Sequence, residues 1–329
     1  MQRALTRRMK GSGLMVCFHR NLRAGDLPFP YFSRIFPGIR IVSEMMACLL
    51  LNVLVVCPGS VAAQSLSIID LHFHFANELD IDAVVKEMNM LDVSKAGNTA
   101  RSAPDALALD WARRYPDRFI PFAGKEAIRG FIRSDGEQAW TLRAPGVVAY
   151  LRQLEAALKA GQFKGIGEIN VFGGTGGAIA GNVFPADSPL MQRFWSLSVA
   201  HRVPVIIHMD ARDETVNEME GLVSSDRQGT MVWAHAGGAG PTLIRRLFKA
   251  HSNLYADLSG RAFHILGNTE WKALLEEYSD RFFLGTDAPN FPQFSLGIGR
   301  WRKVLQQLSP STASKLAHEN AERLLNLGR

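Results

Sequence analysis

Two histidines separated by a single residue, His72 and His74, are the side chains in this sequence best suited to chemistry. They lie in residues 68–75, where apolar, β-branched and aromatic side chains predict a buried strand. Side chains alternate between the two faces of a strand, so both imidazoles point to the same side. Two imidazoles side by side at the end of a strand can bind one divalent metal ion. The alternative interpretation is a pair of core histidines without a ligand role.

The elements that must position these histidines are eight strand-like segments in residues 64–329, most of them followed by a helical pattern. This alternation predicts a parallel sheet with crossover helices, and eight units in about 265 residues match a (β/α)₈ TIM barrel. A doubly wound open sheet is the alternative fold. Residues 124–144 are predicted to form a loop with one short helical piece.

Metal-capable side chains recur at or near the carboxyl ends of the predicted strands. In a barrel these ends meet at one mouth, where active sites lie, whereas in an open sheet they are spread along one edge. The sequence therefore predicts a metal site at the carboxyl-terminal mouth of the barrel. Its candidate side chains are His72, His74, Glu168, His208, His235 and Asp287.

Charge is distributed unevenly along the chain. Of the 37 basic and 31 acidic side chains, eight and two respectively lie in residues 1–63, so residues 64–329 carry 29 of each sign. The net charge of +6 therefore belongs to residues 1–63, and the rest of the chain has no basic patch typical of nucleic-acid binding. All three cysteines also precede residue 64, which excludes cysteine-ligated zinc from residues 64–329.

Residues 1–63 are interpreted as a leader that contains a signal peptide. Residues 45–57 form an uncharged apolar run, Pro58 and Gly59 interrupt it, and a small-residue cleavage site follows at residues 61–63. The run is shorter than the roughly 20 residues of a membrane span, so we expect no stable membrane anchor. About 44 residues precede the run, so either the basic region is long or translation starts downstream, at Met15 for example. This pattern predicts a periplasmic or secreted protein with one barrel domain over residues 64–329.

The histidine and aspartate pattern, together with three short motifs, resembles the metal-dependent amidohydrolase superfamily. The motifs are residues 233–238 (WAHAGG), 284–289 (LGTDAP) and 318–325 (HENAERLL). The resemblance covers roughly residues 67–327 and is most similar to the branch that contains small-molecule hydrolases and non-oxidative decarboxylases. It implies one or two divalent ions, with Zn²⁺ as the first expectation, although imidazole and carboxylate ligands suit Mn, Fe and Co as well.

The resemblance also implies a role for each site residue. Asp287 would bind the metal and take a proton from water, later delivering it to the leaving group. His235 would polarise a substrate carbonyl or bind a second ion. Glu168 would be a metal ligand that bridges two ions, or alternatively a carboxylate that holds a ligand histidine in its tautomer. The implied ligands of the principal ion are His72, His74, His208 and Asp287.

Four further side chains that follow strands are candidates for binding the substrate. The fork of an arginine side chain suits a carboxylate, but each of the four is also compatible with an ordinary solvated loop residue. The candidates are Lys125, Arg212, Arg261 and His264.

Three functions are compatible with this sequence pattern. The first is a hydrolase of a small amide, lactone or ester, and the second is a decarboxylase of an unsaturated or aromatic acid with the same ligands. The third is a non-catalytic metal-binding or scaffold protein, because fold does not fix function. Export favours the hydrolase, and a complete ligand set argues against the third. The expected partner is a small-molecule substrate, and a homodimer is a hypothesis without a sequence signal behind it.

Overall fold

The computed structural model describes residues 66–74, 76, 78–98, 104–172 and 184–327. Its strands lie side by side in chain order, and every neighbouring pair is parallel. The predicted leader, its apolar run and the three cysteines lie outside the described residues, so the leader and export stay predictions. The strands are β1 (Ile68–Phe73), β2 (Val93–Asn98), β3 (Phe119–Ala123), β4 (Gly165–Phe172), β5 (Pro204–Met209), β6 (Thr230–Trp233), β7 (Leu254–Asp257) and β8 (Phe282–Phe283).

The chain beyond β8 brings the sheet back to its first strand. The Leu71 N–H donates to the Leu284 carbonyl at 3.0 Å, and the Asp287 N–H donates to the His72 carbonyl at 2.8 Å. The residues after the two-residue strand β8 thus pair with β1, and the sheet forms a nearly closed barrel. The predicted (β/α)₈ fold is confirmed, and an open doubly wound sheet is excluded.

Helices connect the strands and surround the barrel. Helix α6 begins in the usual way, because Pro189 occupies its first position and the Ser188 side chain accepts from the Met191 N–H. None of the helices in the described ranges is long and apolar enough to cross a membrane. The helices are α1 (Ile81–Met90), α2 (Asp105–Arg114), α3 (Lys125–Asp135), α4 (Glu137–Trp140), α5 (Pro145–Lys159), α6 (Pro189–His201), α7 (Asp213–Ser225), α8 (Pro241–Ala250), α9 (Ala262–Ile265), α10 (Thr269–Glu277), α11 (Phe291–Leu305), α12 (Pro310–Ser314) and α13 (Asn320–Leu325), with a 3₁₀ turn at Ala234–Gly238 and a π turn at Lys315–Glu319.

The prediction of a loop over residues 124–144 is wrong, because helices α3 and α4 occupy most of it. Gly124 precedes α3 with a φ of 104°, and Gly136 separates α3 from α4 with a φ of 53°. Both residues have positive φ values, a backbone conformation that favours glycine, so the chain changes direction sharply at these two points. Gly124 and Gly136 thus mark the boundaries of two helices.

The apolar core has two parts. A large cluster lies between the strands and the surrounding helices, and a smaller one joins residues from five different strands to helix α13. Strands on different sides of a barrel can meet only in its interior, so the smaller cluster fills the barrel below the mouth. Its strand members include Leu71, Phe122, Ile206, Val232 and Phe283.

Candidate metal centre

The structure brings all six predicted metal-capable side chains to one end of the barrel. His72 and Glu168 lie within strands β1 and β4, and both are buried. Strands β6 and β8 stop at Trp233 and Phe283, so His235 and Asp287 lie near the strand ends but outside the strands. Both residues lie in tight turns beyond the strand ends, with φ values of 56° and 57°. These turns place the side chains of His235 and Asp287 beside the other potential metal ligands at the mouth of the barrel.

His72, His74 and Asp287 form one group with the spacing of metal ligands. Their ligand atoms all lie within 4.8 Å of one another. The Nε2 atom of His72 is 3.7 Å from Oδ1 of Asp287 and 3.5 Å from Oε2 of Glu168. Atoms about 2.1 Å from a tetrahedral ion are roughly 3.4 Å apart, so these separations leave room for an ion. Oδ1 of Asp287 and Nε2 of His74 are closer, at 2.6 Å.

One buried nitrogen in this group provides an independent test of whether a metal fits. Nε2 of His72 has no hydrogen-bond partner in the part of the chain that the structure describes. A buried polar atom without a partner is costly, and coordination of a cation would satisfy it. Its other nitrogen, Nδ1, lies 3.0 Å from Oδ2 of Asp257, an arrangement that orients histidine ligands in metal sites. The donor set therefore fits a divalent metal.

Glu168, His208 and His235 form a second group of potential ligands next to the first. Oε1 of Glu168 lies 2.5 Å from Nδ1 of His208 and 3.3 Å from Nε2 of His235. Its other oxygen, Oε2, accepts from the Lys125 ammonium group in a buried ion pair. Both oxygens of Glu168 are thus in contact with protein partners. Metal ligation by Glu168 stays a prediction, and its contact with His208 suits the alternative, orienting role.

The charged groups at the centre of the site hold one another ionised. Burial opposes the charge on Glu168, but Lys125, His72 and His208 keep the pKa of this carboxyl well below its usual range. Burial also opposes the charge on His72, yet the carboxylates of Asp257 and Glu168 raise the pKa of this imidazole well above its usual value. An ion that coordinates Nε2 of His72 must therefore displace a proton.

The pKa values of the three groups that face the mouth are shifted, those of His74 and Asp287 downward and that of His235 upward. Burial and the charge on Lys125 lower the pKa of His74 to about 4. Burial works against the ionised form of Asp287, but the hydrogen bond from His74 lowers the pKa of this carboxyl. For His235, burial is outweighed by the hydrogen bond to Glu168, which raises the pKa of the imidazole. Near neutral pH the site thus presents a carboxylate at Asp287, and the contact with Glu168 favours the protonated form of His235.

Sequence reasoning missed Asp257, which connects the two histidine groups. It is the last residue of β7, and its Oδ2 atom contacts His72. Its Oδ1 atom accepts from the backbone N–H of His235 at 3.2 Å and of Ser259 at 2.9 Å. The signal was available, because Asp257 ends a strand as the predicted ligands do. A carboxylate at a strand end is compatible with a metal ligand or with an orienting group, and orienting contacts show only in three dimensions.

Asp70, in strand β1, is a second carboxylate that the sequence predictions did not include. Its Oδ1 atom accepts from the N–H of Thr286 and of His72, both at 3.0 Å, and its Oδ2 atom accepts from the Thr286 hydroxyl at 2.5 Å. Burial raises the pKa of Asp70 to about 7. The Asp70 side chain therefore connects β1 to the segment that carries Asp287 by hydrogen bonds. Gly285, in that segment, packs directly against β1, because a Cβ added to it would lie 2.7 Å from Cβ of His72.

Replacing Asp257 with asparagine should weaken metal binding by about 10- to 100-fold, the usual effect of removing a carboxylate that orients a histidine ligand. The amide keeps the shape of the carboxylate but removes the charge that stabilises the His72 ring. Titration of the metal-free protein with Mn²⁺ or Zn²⁺ measures this change. The exposed Asp117 provides a matched control, and Asp117→Asn should leave the affinity unchanged. Equal affinities in both variants would contradict the orienting role.

Lys125 is the predicted substrate-binding residue that lies deepest in the site. It begins helix α3 and is buried against Glu168. Asp105 fixes this start, because its Oδ1 atom accepts from the Gly124 N–H at 3.0 Å while its Oδ2 atom accepts from the Tyr150 hydroxyl at 2.6 Å. Lys125 therefore contributes a fixed positive charge to the metal centre.

The other three predicted substrate-binding residues have different surroundings. The guanidinium of Arg261 donates to the carbonyl oxygens of His235 at 3.2 Å and of Ala239 at 3.0 Å, so it supports the turn that carries His235. Arg212 is exposed just before helix α7, and His264 is exposed on helix α9. Substrate binding by these residues stays a prediction.

The sequence matches the family model described as amidohydrolase over residues 69–327. The chain belongs to the amidohydrolase family. The matched region includes nearly the whole barrel and every residue of the metal centre, so the predicted resemblance is confirmed. Enzymes of the family are mostly metal-dependent decarboxylases or hydrolases, and the ligand groups described above are consistent with a metal-dependent enzyme. No curated protein is significantly similar to this amidohydrolase in sequence.

Several solved structures share the barrel. A dihydroxybenzoic acid decarboxylase from Polaromonas sp. JS666, with bound manganese and the inhibitor 2-nitroresorcinol, is 18% identical with a TM-score of 0.59 and covers 80% of this chain and 98% of its own. A probable 2-pyrone-4,6-dicarboxylic acid hydrolase from Acinetobacter baumannii, with citric acid bound, is 14% identical with a TM-score of 0.55 and covers 79% and 100%. A 2,6-dihydroxybenzoate decarboxylase in complex with 2,6-dihydroxybenzoate is 16% identical with a TM-score of 0.58 and covers 79% and 99%.

At these identities the similarity establishes the fold of the amidohydrolase rather than its reaction. A divalent metal is supported by the ligand groups and by the manganese in one of the similar structures. Zinc as the particular metal stays a prediction, because imidazole and carboxylate donors accept several divalent ions.

Proposed function

We propose that this amidohydrolase is a metal-dependent hydrolase of a small amide, lactone or ester. The observation that carries the proposal is the position of Asp287, whose side chain is 38% exposed at the mouth while its Oδ1 atom contacts His74. A carboxylate that is both beside the metal ligands and open to solvent can reach a water molecule. Hydrolysis requires such a base, whereas simple loss of carbon dioxide does not.

The principal ion would be held by His72, His74, His208 and Asp287. In the structure Nδ1 of His208 faces Oε1 of Glu168 at 2.5 Å and Nε2 of His235 at 3.1 Å, so His208 would reach the ion from the second group of potential ligands. When bound, a divalent ion supplies Lewis-acid polarisation of a substrate oxygen and lowers the pKa of a water molecule.

The proton transfers are assigned to Asp287 and His235. The carboxylate of Asp287 accepts a proton from the attacking water and passes it to the departing amine or alcohol. The Nδ1 atom of His235 lies 3.1 Å from the carbonyl oxygen of Ser259, so its N–H donates there and Nε2 is directed toward the metal ligands. In its protonated form His235 donates from Nε2 to the carbonyl oxygen of the substrate as negative charge develops on it.

A decarboxylase is the second candidate, and one feature of the site favours it. Both oxygens of Glu168 already have protein partners, Lys125 and His208, which fits a centre with one ion better than a bridged pair. Two of the similar structures described above are decarboxylases, and one of these holds manganese. With that reaction, His235 would donate its proton to the carbon that loses the carboxylate.

An isotope experiment tests the proposal. The full chain, loaded with Mn²⁺ or Zn²⁺, is incubated in H₂¹⁸O with a panel of small carboxylated lactones, esters, amides and hydroxybenzoic acids, and products are analysed by mass spectrometry. We expect one ¹⁸O atom in the product acid and no carbon dioxide. The Asp287→Asn variant serves as the control for uncatalysed hydrolysis. Release of carbon dioxide without ¹⁸O in the remaining product would contradict hydrolysis and establish the decarboxylase.

A further inference from the structure

A cavity of about 330 Å³ opens beside Asp287, between the segment after β7 and helix α11. Asp287 lines one part of it, together with the backbone of Gly260 and the end of the chain segment that closes the barrel. Helix α11 contributes Gln293, Leu296 and Arg300 to the opposite part. The cavity is thus continuous with the residue that our proposed function makes the proton acceptor, and it is large enough for a small organic molecule.

Two large apolar side chains are exposed at the rim of this cavity. Among the residues that the structure describes, three large apolar side chains are exposed, and two of them line the cavity. Phe263 is 66% exposed and Leu296 is 53% exposed, and only Met90 lies elsewhere. Exposed apolar side chains gathered at one cavity are typical of a binding site, whereas isolated ones need no explanation.

Arg300 lies in the same cavity and has no carboxylate partner among the residues that the structure describes. Within the described ranges it makes no ion pair or hydrogen bond, and its guanidinium carbon lies 5.5 Å from the centre of the Phe263 ring. Other arginines on the barrel surface, such as Arg193 and Arg245, pair with glutamates. An arginine beside an aromatic ring and without a partner is well placed to bind a planar anion, because its fork donates two parallel hydrogen bonds.

We propose that this cavity is a substrate subsite for small acids. A flat apolar group would pack against Phe263 and Leu296, and a carboxylate that does not react would bind to Arg300, which leaves the reacting bond beside Asp287. The inference rests on the proposed function, because it places the substrate of that reaction. It narrows the substrate class to molecules in which a planar or apolar spacer separates an anionic group from the reacting bond. The charges at the two ends, negative at Asp287 and positive at Arg300, would give such a substrate one orientation.

Binding of two simple probes tests the subsite without requiring turnover. Benzoate and its neutral counterpart benzamide are titrated into the metal-loaded full chain by calorimetry. We expect Arg300→Gln to weaken benzoate binding by roughly 10- to 100-fold, the range for a charge-assisted pair, and to change benzamide binding less than about twofold. Phe263→Ala should weaken both probes alike, because both carry the ring. Arg152→Gln, which removes an exposed arginine from helix α5, should change neither.

Three outcomes would overturn the subsite. Equal losses for benzoate and benzamide in Arg300→Gln would show that the charge of Arg300 is not used. Unchanged benzoate binding in Arg300→Gln would show that the carboxylate binds elsewhere, and loss of that binding on removal of the metal would place it at the ion. Failure of the proposed hydrolysis is distinguishable, because it would leave the probe affinities and their dependence on Arg300 intact.

Discussion

Replacing His72 with alanine should remove the bound divalent ion and lower kcat/KM by roughly 10³-fold. Metal polarisation contributes several kcal/mol of transition-state stabilisation, and each 1.36 kcal/mol corresponds to about tenfold in rate. Nε2 of His72 is a buried nitrogen that has no hydrogen-bond partner among the described residues, and it lies within 4 Å of carboxylate oxygens of Glu168 and Asp287. Metal content per chain and kcat/KM are measured on the same preparations, purified without chelator.

The control for His72→Ala is His201→Ala. His201 is the last residue of helix α6 and precedes β5, so it lies at the opposite end of the barrel from the mouth. The His72→Ala substitution also removes the imidazole partner of Oδ2 of Asp257. This loss should lower the free energy of unfolding by about 1–3 kcal/mol. Thermal unfolding therefore accompanies the activity assay. A folded His72→Ala protein that retains its metal and its activity would refute the metal centre.

The sequence was sufficient to predict the barrel because its periodic signals are local. Strand–helix alternation appears residue by residue, and polar side chains near strand ends such as His208 stand out against apolar runs. The predicted loop over residues 124–144 failed because Gly124 and Gly136 mark helix boundaries there as well as turns. Local pattern does not separate these two uses of glycine, since both require the same backbone conformation.

The contacts within the site were less predictable, because they join residues that are distant in sequence. Asp257 contacts His72 across 185 residues of chain, and Lys125 pairs with Glu168 across 43. A strand pattern indicates which side chains reach the mouth, but not which of them touch each other. The side chain of Arg261 illustrates the difference, because its position suggested substrate binding whereas its guanidinium donates to the backbone of the His235 turn.

The buried ion pair of Lys125 and Glu168 predicts a large loss of stability when one of its charges is removed. Glu168→Gln should lower the unfolding free energy by about 3–5 kcal/mol, because the ammonium group of Lys125 then stays buried without a counter-charge. The loss should be largest in the metal-free protein, where Glu168 also faces the imidazoles of His72 and His208. Urea unfolding of the metal-free protein measures it, and metal content of the same variant should remain one ion per chain.

A double variant separates the buried charge from other effects of the substitution. Lys125→Met combined with Glu168→Gln removes both charges and keeps similar side-chain volumes, so it should recover most of the stability that Glu168→Gln loses. Arg143→Gln and Glu137→Gln, applied to an exposed pair, provide the matched control and should change stability by less than about 1 kcal/mol. If the double variant is no more stable than Glu168→Gln, Glu168 stabilises the site through its histidine contacts and not through Lys125. A fall from two ions to one in Glu168→Gln would instead make this carboxylate a bridging ligand and argue for a binuclear hydrolase.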